Sequence, residues 1–569
     1  MTTESPPTME ASAESQASTS SHQPSGTTLY RGGFVYHEAN FRATAMVVTG
    51  NQIRWIGSDE SAASHLDGVD AVVELDGALV TPTFVDAHVH TSATGLALRG
   101  VDLTGARSLR QVLDRIEVAA RRRAGRPVYA PNWDEQDWPE HRPPTARELD
   151  RATYGGAVYA PRVDGHSAVI SSALAAASGA RNHPGWNDSG LVTREAHHAA
   201  RDTFYAGVSP VDRRGDIDAA LKAAAAAGIG LVHENGGPTL SSEADFADVL
   251  AAGVRGDGPQ VIGYWAELVR DEESARALAD RRGARGLAGD LNIDGSIGSR
   301  TASLRNPYAD DGQGADGQDG RDPARRGHSY LSVEQVRDHV AACSLAGIQA
   351  GFHVIGDSGA DTVVAGFRAA AEQVGVATVV AARHRLEHCE MVSPHGITTL
   401  AGLGVTASVQ PAFHARWGGR AGMYTVRLGP DRVADMNPFA TMIAAGMSLA
   451  LGSDTPVTPF APWEAVRDCV NHHVPAQRIP AHTAFLAHTR GGWRAAGIDD
   501  RGYLDPGQPA TFAIWSVAPG RSGRSGTPGS SGAATPARLP DLSPGATLPT
   551  NLRTVIRGRT VFDREGALL

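Results

Sequence analysis

The sequence predicts an α/β fold: a closed (β/α)8 barrel of the TIM type, with a smaller β domain built from both chain ends. Three observations predict it. Short apolar strands alternate with amphipathic or alanine-rich helices through the middle of the chain. β-like text with Gly, Asn and Asp turns stands before and after that middle. Histidines and aspartates recur at the C-terminal ends of the candidate strands, the face on which barrel folds carry their active sites.

Taken in order, residues 1–27 are rich in Ser, Thr and Pro and lack an apolar stretch, so they read as a disordered tail rather than a secretory signal. Residues 28–80 supply "TLYRGGFVYHE", "ATAMVVTGNQIRWIGSDE" and "DAVVELDGALVTP", and residues 498–569 return to the same texture in "GYLDPGQPATFAIWSV" and "LRTVIRGRTVFDREG". Together these form a composite β domain. The insert at 516–549 is Gly/Ser/Pro-rich, a composition that cannot bury a core.

Residues 81–497 are the barrel. Eight candidate strands end at "TFVDAHVH", "AVYAPRVDGH", "GIGLVHE", "AGDLNIDG", "IQAGFHVIGD", "RHRLEHCE", "GVTASVQP" and "LALGSDTPV", with "QVIGYWAEL" as a ninth candidate. Helix entries are marked by Ser332 with Gln335 as a capping box, by Ser393-Pro394 and by Asn437-Pro438. Eight βα units favour a closed barrel over an open sheet.

Composition narrows the function. Charged residues are 20% of the 569 and the net charge is -10, which speaks against a nucleic-acid partner. No window approaches the roughly 18 uninterrupted apolar residues of a membrane span. Cys343, Cys389 and Cys469 are far apart, so neither a disulfide framework nor a thiolate zinc site is expected. The expectation is a soluble cytoplasmic protein acting on a small molecule, with homo-oligomerisation left open.

In "VDAHVH", strand alternation points His88 and His90 to the same face. Alone, such a pair is more often solvated or hydrogen-bonded than metal-binding. His166, His233, Asp290, His353, His388 and Asp454 occupy equivalent strand ends, and the joint pattern changes the balance. Four imidazoles with one or two carboxylates suit Zn²⁺ or a similar divalent ion. Bound zinc lowers the pKa of its water to about 7, and Asp454 is placed to take and pass on the proton. His166, Arg300 and Trp133 are candidate substrate contacts, although loop pinning or aromatic packing would account for each. His233 is a candidate for orienting a ligand, Trp138 and Trp417 for roofing a pocket, and Cys389 for buried packing.

The ordered set "VDAHVH", "DGSIGSRTA", "HVIGD", "LEHCEMV", "SVQP" and "GSDTPV" resembles the amidohydrolase superfamily, specifically its YtcJ-like group, amidohydrolase family 3. The resemblance covers roughly residues 28–569. It implies a metal-dependent barrel with a composite β-sandwich and hydrolysis of amide or other carbon–nitrogen bonds. It also implies metal ligation by His88 and His90 on the first strand, His353 on the fifth, His388 on the sixth and Asp454 on the last.

One departure stands out. Many relatives carry a carboxylated lysine four residues before the aspartate of "DGS", where this chain has Asp290. The single lysine, Lys222, falls in an alanine-rich run read as a helix before the third strand, so no carboxylated lysine is expected. Asp290 would replace it, or Glu234 would reach in. A mononuclear site is favoured, because an aspartate is several atoms shorter and bridging would require the backbone to move inward. The leading expectation is a metal-dependent hydrolase of an amide or formamide bond. Ester or lactone hydrolysis and a non-catalytic metal- or ligand-binding relative are the alternatives.

Overall fold

The computed structural model describes residues 26–123, 126–136, 138–310, 326–517, 539–565 and 567–568. The tail expected at 1–27 lies almost wholly outside them. Eight parallel strands form the barrel: β1 (Phe84–Val89), β2 (Ile229–Gly236), β3 (Gln260–Trp265), β4 (Gly286–Leu287), β5 (Gln349–Val354), β6 (Arg385–His388), β7 (Thr406–Val409) and β8 (Ser448–Leu451). Each pairs in parallel with the next. Closure is made beyond β8, where Val89 bridges Thr455 and the Asp454 N–H donates to His88 O at 2.9 Å.

The strand count corrects one expectation. "QVIGYWAEL" is the barrel strand β3, whereas "AVYAPRVDGH" supplies Val158–Pro161 of a separate four-stranded sheet. Apolar content alone does not separate the two runs. What separates them is the sequel: after Pro161 the chain turns tightly through Gly165, φ +69°, into the antiparallel strand Ser167–Ile170. A parallel barrel strand needs a crossover there, not a hairpin. This sheet and the helix Arg194–Ala206 are inserted between β1 and β2, and their shared core includes Tyr129, Tyr159, Ala196, Ala200 and Phe204.

β4 is short, and its pairing pauses over residues 288–290. Pairing resumes beyond the pause, where His353 N–H donates to Leu291 O at 3.2 Å and Ile293 N–H donates to His353 O at 2.9 Å. Gly289 makes the turn at φ +87°, a conformation that glycine takes without strain. Lys222 is exposed on the helix Pro210–Ala226, which precedes β2.

The two chain ends form a β-sandwich. One sheet is N-terminal: Gln52–Gly57, Ala45–Thr49, Thr27–Arg31 and Ala71–Glu74. The other is composite, with Phe34–Val35 and Leu79–Pro82 beside Phe512–Ser516, Thr550–Ile556 and Arg559–Asp563. Met46, Val48, Ile53, Val80, Phe512 and Ile514 fill the space between the sheets. The insert read at 516–549 differs in part from expectation. From 539 onward Leu542 is buried, with Leu539 and Leu548 packed beside it on the barrel core. Three spaced leucines outweigh the surrounding Pro and Gly.

Ser332 and Gln335 form the expected capping box, and Ser393 caps Pro394–Gly402. Asn437 does not cap. Its side chain turns instead toward Glu390, 3.4 Å away, and its backbone takes φ +50°.

Candidate metal centre

Six side chains converge at the barrel mouth. His88 Nε2 lies 3.4 Å from Asp290 Oδ1 and 3.5 Å from Asp454 Oδ1. His90 Nε2 lies 3.1 Å from Asp290 Oδ2 and 3.2 Å from Asp454 Oδ1. His353 Nδ1 and His388 Nε2 approach Asp290 Oδ1 at 3.4 and 3.6 Å. The donor atoms form three compact triads: His88, His388 and Asp454; His88, His90 and Asp290; and Asp290, His353 and His388.

Asp290 belongs to two triads, so its carboxylate faces both halves of the cluster. Its side chain is short, as expected, yet its two oxygens reach His88, His90, His353 and His388 at 3.1–3.6 Å, from a segment where the barrel pairing pauses. Glu234 does not join, because its Oε2 accepts the Thr91 N–H at 2.8 Å.

A second layer fixes three of the four rings. His88 Nδ1–H donates to Glu387 Oε2 at 2.9 Å, His90 Nδ1–H to Asn235 O at 3.1 Å, and His388 Nδ1–H to Gln410 Oε1 at 2.8 Å. Glu387 is gripped in turn by Arg385, through Nε at 2.6 Å and Nη2 at 3.0 Å, and Arg385 Nη1 donates to His233 Nδ1 at 3.0 Å. Arg385 and Glu387 are wholly buried, and each holds the other in its charged form. Sequence reasoning missed Glu387, Arg385 and Gln410. The signal was two opposite charges at i and i+2 in the candidate strand "RHRLEHCE", because alternation puts both on one face.

These bonds commit the outer nitrogens of His88 and His388 as donors, which leaves each Nε2 lone pair facing a carboxylate. Both Nε2 atoms are buried without a hydrogen-bond partner. Lone pairs and anions converging on one point require a cation, so the residues fit a divalent metal. Without one, protons take its place. Burial disfavours the charged imidazoles, but Asp290 and Asp454 outweigh it and push His90 up to about 10 and His88 well above its ordinary range. Backbone geometry serves the same cluster, since His388 and Asp454 sit at φ +69° and +56°, conformations unusual for side-chain-bearing residues.

The cleft over the cluster is lined further by His166, Tyr159, Tyr205 and Arg201. His166 comes from the inserted hairpin rather than a barrel strand, and its ring lies 4.9 Å from that of His353. Burial and the neighbouring His353 keep it neutral. Arg300 and Trp133 are not in this cleft; they line a neighbouring cavity. Arg300 is held by Asp310 at 2.7 Å, and Trp133 is buried with its indole N–H on Ala160 O. Trp138, Trp417 and Cys389 are likewise packed in the interior.

Known proteins share this architecture. The pattern described as the amidohydrolase family matches residues 71–562. The Bacillus subtilis protein YtcJ is 25% identical over 94% of this chain and 99% of its own length. N-substituted formamide deformylase of Arthrobacter pascens is 23% identical over 84% of this chain and 90% of its own. The crystal structure of an uncharacterized metal-dependent hydrolase from Pyrococcus horikoshii OT3 aligns with a TM-score of 0.65 at 23% identity, covering 86% of this chain and 97% of that one.

Proposed function

The chain belongs to the amidohydrolase family, and on that premise we propose that it uses a metal-activated water to hydrolyse a non-peptide carbon–nitrogen bond, an amide or formamide, in a small organic substrate. The observation that carries this reading is the convergence of four imidazoles and two carboxylates whose inner atoms have no hydrogen-bond partner but each other. One relative acts on N-substituted formamides, which supports the choice of bond.

The nitrogen and oxygen donors suit zinc, which His88, His90, Asp290, His353, His388 and Asp454 would hold. When bound, a divalent cation supplies hydroxide near neutral pH and polarises the carbonyl. The chain's own residues do the rest. The Asp454 carboxylate takes the proton from the attacking water and delivers it to the leaving nitrogen. The neutral imidazole of His166 donates a hydrogen bond to the substrate carbonyl oxygen. Glu387, Asn235 and Gln410 keep three ligand rings in one orientation, so no reorganisation is needed as charge develops.

The test is a metal assay joined to a substrate panel of N-substituted formamides, amides, esters and lactones. Wild-type protein is expected to hold divalent metal near stoichiometry and to turn over the formamide or amide. Asp454→Asn should keep most of the metal and lose turnover. A metal-stripped wild type that hydrolyses as fast as the loaded protein overturns the reading. Turnover confined to esters or lactones transfers it to the other carbonyl class, and failure across the whole panel favours a non-catalytic binding protein.

A further inference from the structure

Arg201 lies on the helix Arg194–Ala206 and is 9% exposed, in the wall of the cleft that also holds His90, Asp290 and Asp454. Its Nε and Nη2 are screened from solvent and have no hydrogen-bond partner. The carboxylate paired with it is its own neighbour Asp202, 3.7 Å from Nε and too distant for a hydrogen bond. The Asp202 side chain is 52% exposed and lines the adjoining cavity instead.

Other buried arginines are treated differently. Arg162 meets Asp134, Glu135 and Asp164, and Arg427 meets Asp310 and Glu135. Nε and Nη2 form the edge with which Arg385 grips Glu387 and Arg213 grips Asp248. In Arg201 that same edge meets no acceptor. Beyond Asp202, its neighbours supply no negative charge. Tyr129, Tyr159 and Tyr205 are phenols whose ionisation burial suppresses. Burial and the guanidinium keep His198 neutral, down at about 3.

A buried ion whose donors lack acceptors and whose one carboxylate is distant and half-exposed is costly, so an arginine kept this way at a ligand cleft calls for an anion from outside the chain. Arginine's planar fork suits a carboxylate. We propose that the substrate carries a carboxylate that pairs with Arg201, while its scissile carbonyl lies at the Asp290–Asp454 end of the cleft. The substrate class is then an N-formylated or N-acylated acid, with an apolar or aromatic body against the tyrosines. This rests on the reading of the cleft as the substrate site.

The test is calorimetric binding to metal-loaded full-length protein, with phenylacetate and 2-phenylethanol as probes. Wild type is expected to bind phenylacetate at least about tenfold more tightly, as suits a hydrogen bond to a charged group. Arg201→Met should abolish the preference without lowering the thermal midpoint, since it removes a weakly paired buried charge at similar volume. Arg201→Lys should keep part of it. An equal affinity for both probes in wild type overturns the proposal, and so does a preference that survives in Arg201→Met, which would place the carboxylate on the metal. If Arg201→Met does not fold, an undiminished preference in Arg201→Lys overturns fork pairing. Binding is read here rather than turnover, so a failure of the hydrolysis panel remains a separate result.

Discussion

Glu387 Oε2 accepts the Nδ1 proton of His88 at 2.9 Å, with both side chains wholly buried. The bond fixes which nitrogen of His88 faces the cluster. Glu387→Gln keeps the shape but removes the charge that pins Arg385 and raises the basicity of His88. Metal affinity is expected to fall by roughly 10–100-fold, read by competition with a chromogenic chelator. Unchanged affinity would mean that the backbone alone positions the ring.

Asp290 is the carboxylate common to two donor triads. Asp290→Ala should therefore weaken both halves of the centre, with metal content well below wild type and activity reduced by more than roughly 100-fold. The equivalent change at Glu234, which bonds Thr91 N–H instead, should leave metal content near wild type. Elemental analysis of the two variants separates them, and full metal content in Asp290→Ala would remove it from the ligand set.

Acid should unfold the metal-free protein through histidines remote from the cluster. Val269 N–H donates to His339 Nδ1 and Ala350 N–H to His384 Nδ1, so neither ring can take a second proton without breaking a buried bond. Burial holds His339 and His488 down at about 4 and His384 at about 3. Folded values below the unfolded 6.5 mean that the unfolded chain binds more protons as pH falls from 6.5 toward 4, so stability drops across that window. The loss is roughly 1.5 kcal/mol for each such group between pH 6.5 and 5. His90, raised to about 10, acts in the opposite sense, but its contribution is complete below 6.5 and does not offset this. A thermal midpoint that stays flat from pH 6.5 to 5 would contradict the assignment.

Gly95 lies on the helix Thr91–Arg99 that follows His90, where an added Cβ would stand 1.7 Å from the backbone oxygen of Asp216. Backbone on the facing helix cannot yield as a side-chain tip would. Gly95→Ala is expected to destabilise by about 1–3 kcal/mol and to displace His90. Differential scanning calorimetry and metal titration should both register it.

The barrel and the residues that meet at its mouth were legible because their signals are local. Strand alternation aims His88 and His90 together, and ligand-type residues at successive strand ends share a face whichever helices intervene. What was illegible depended on how segments return. Val158–Pro161 and β3 look alike in composition, and only the hairpin after Gly165 assigns the first to an insertion. Arg300 and Trp133 were placed by their neighbourhood in the sequence, yet Trp133 is bridged to the inserted sheet, Arg300 follows β4, and both line another cavity. Arg201 carried no local signal at all, since an arginine on an amphipathic helix reads as solvated. Its burial is a property of the insertion packed above the barrel.

The pause between Leu287 and Leu291 puts an encoded carboxylate, not an amine, beside the histidines. A carboxylated lysine is assembled after translation from an amine and dissolved carbon dioxide, and it comes apart when that gas is withdrawn. An encoded aspartate that meets the histidines just after the turn at Gly289 needs no such supply. A metal centre built on Asp290 would be complete as genetically specified. Its recovery from chelation should proceed equally fast in bicarbonate-rich and carbon-dioxide-free buffer, governed by metal alone.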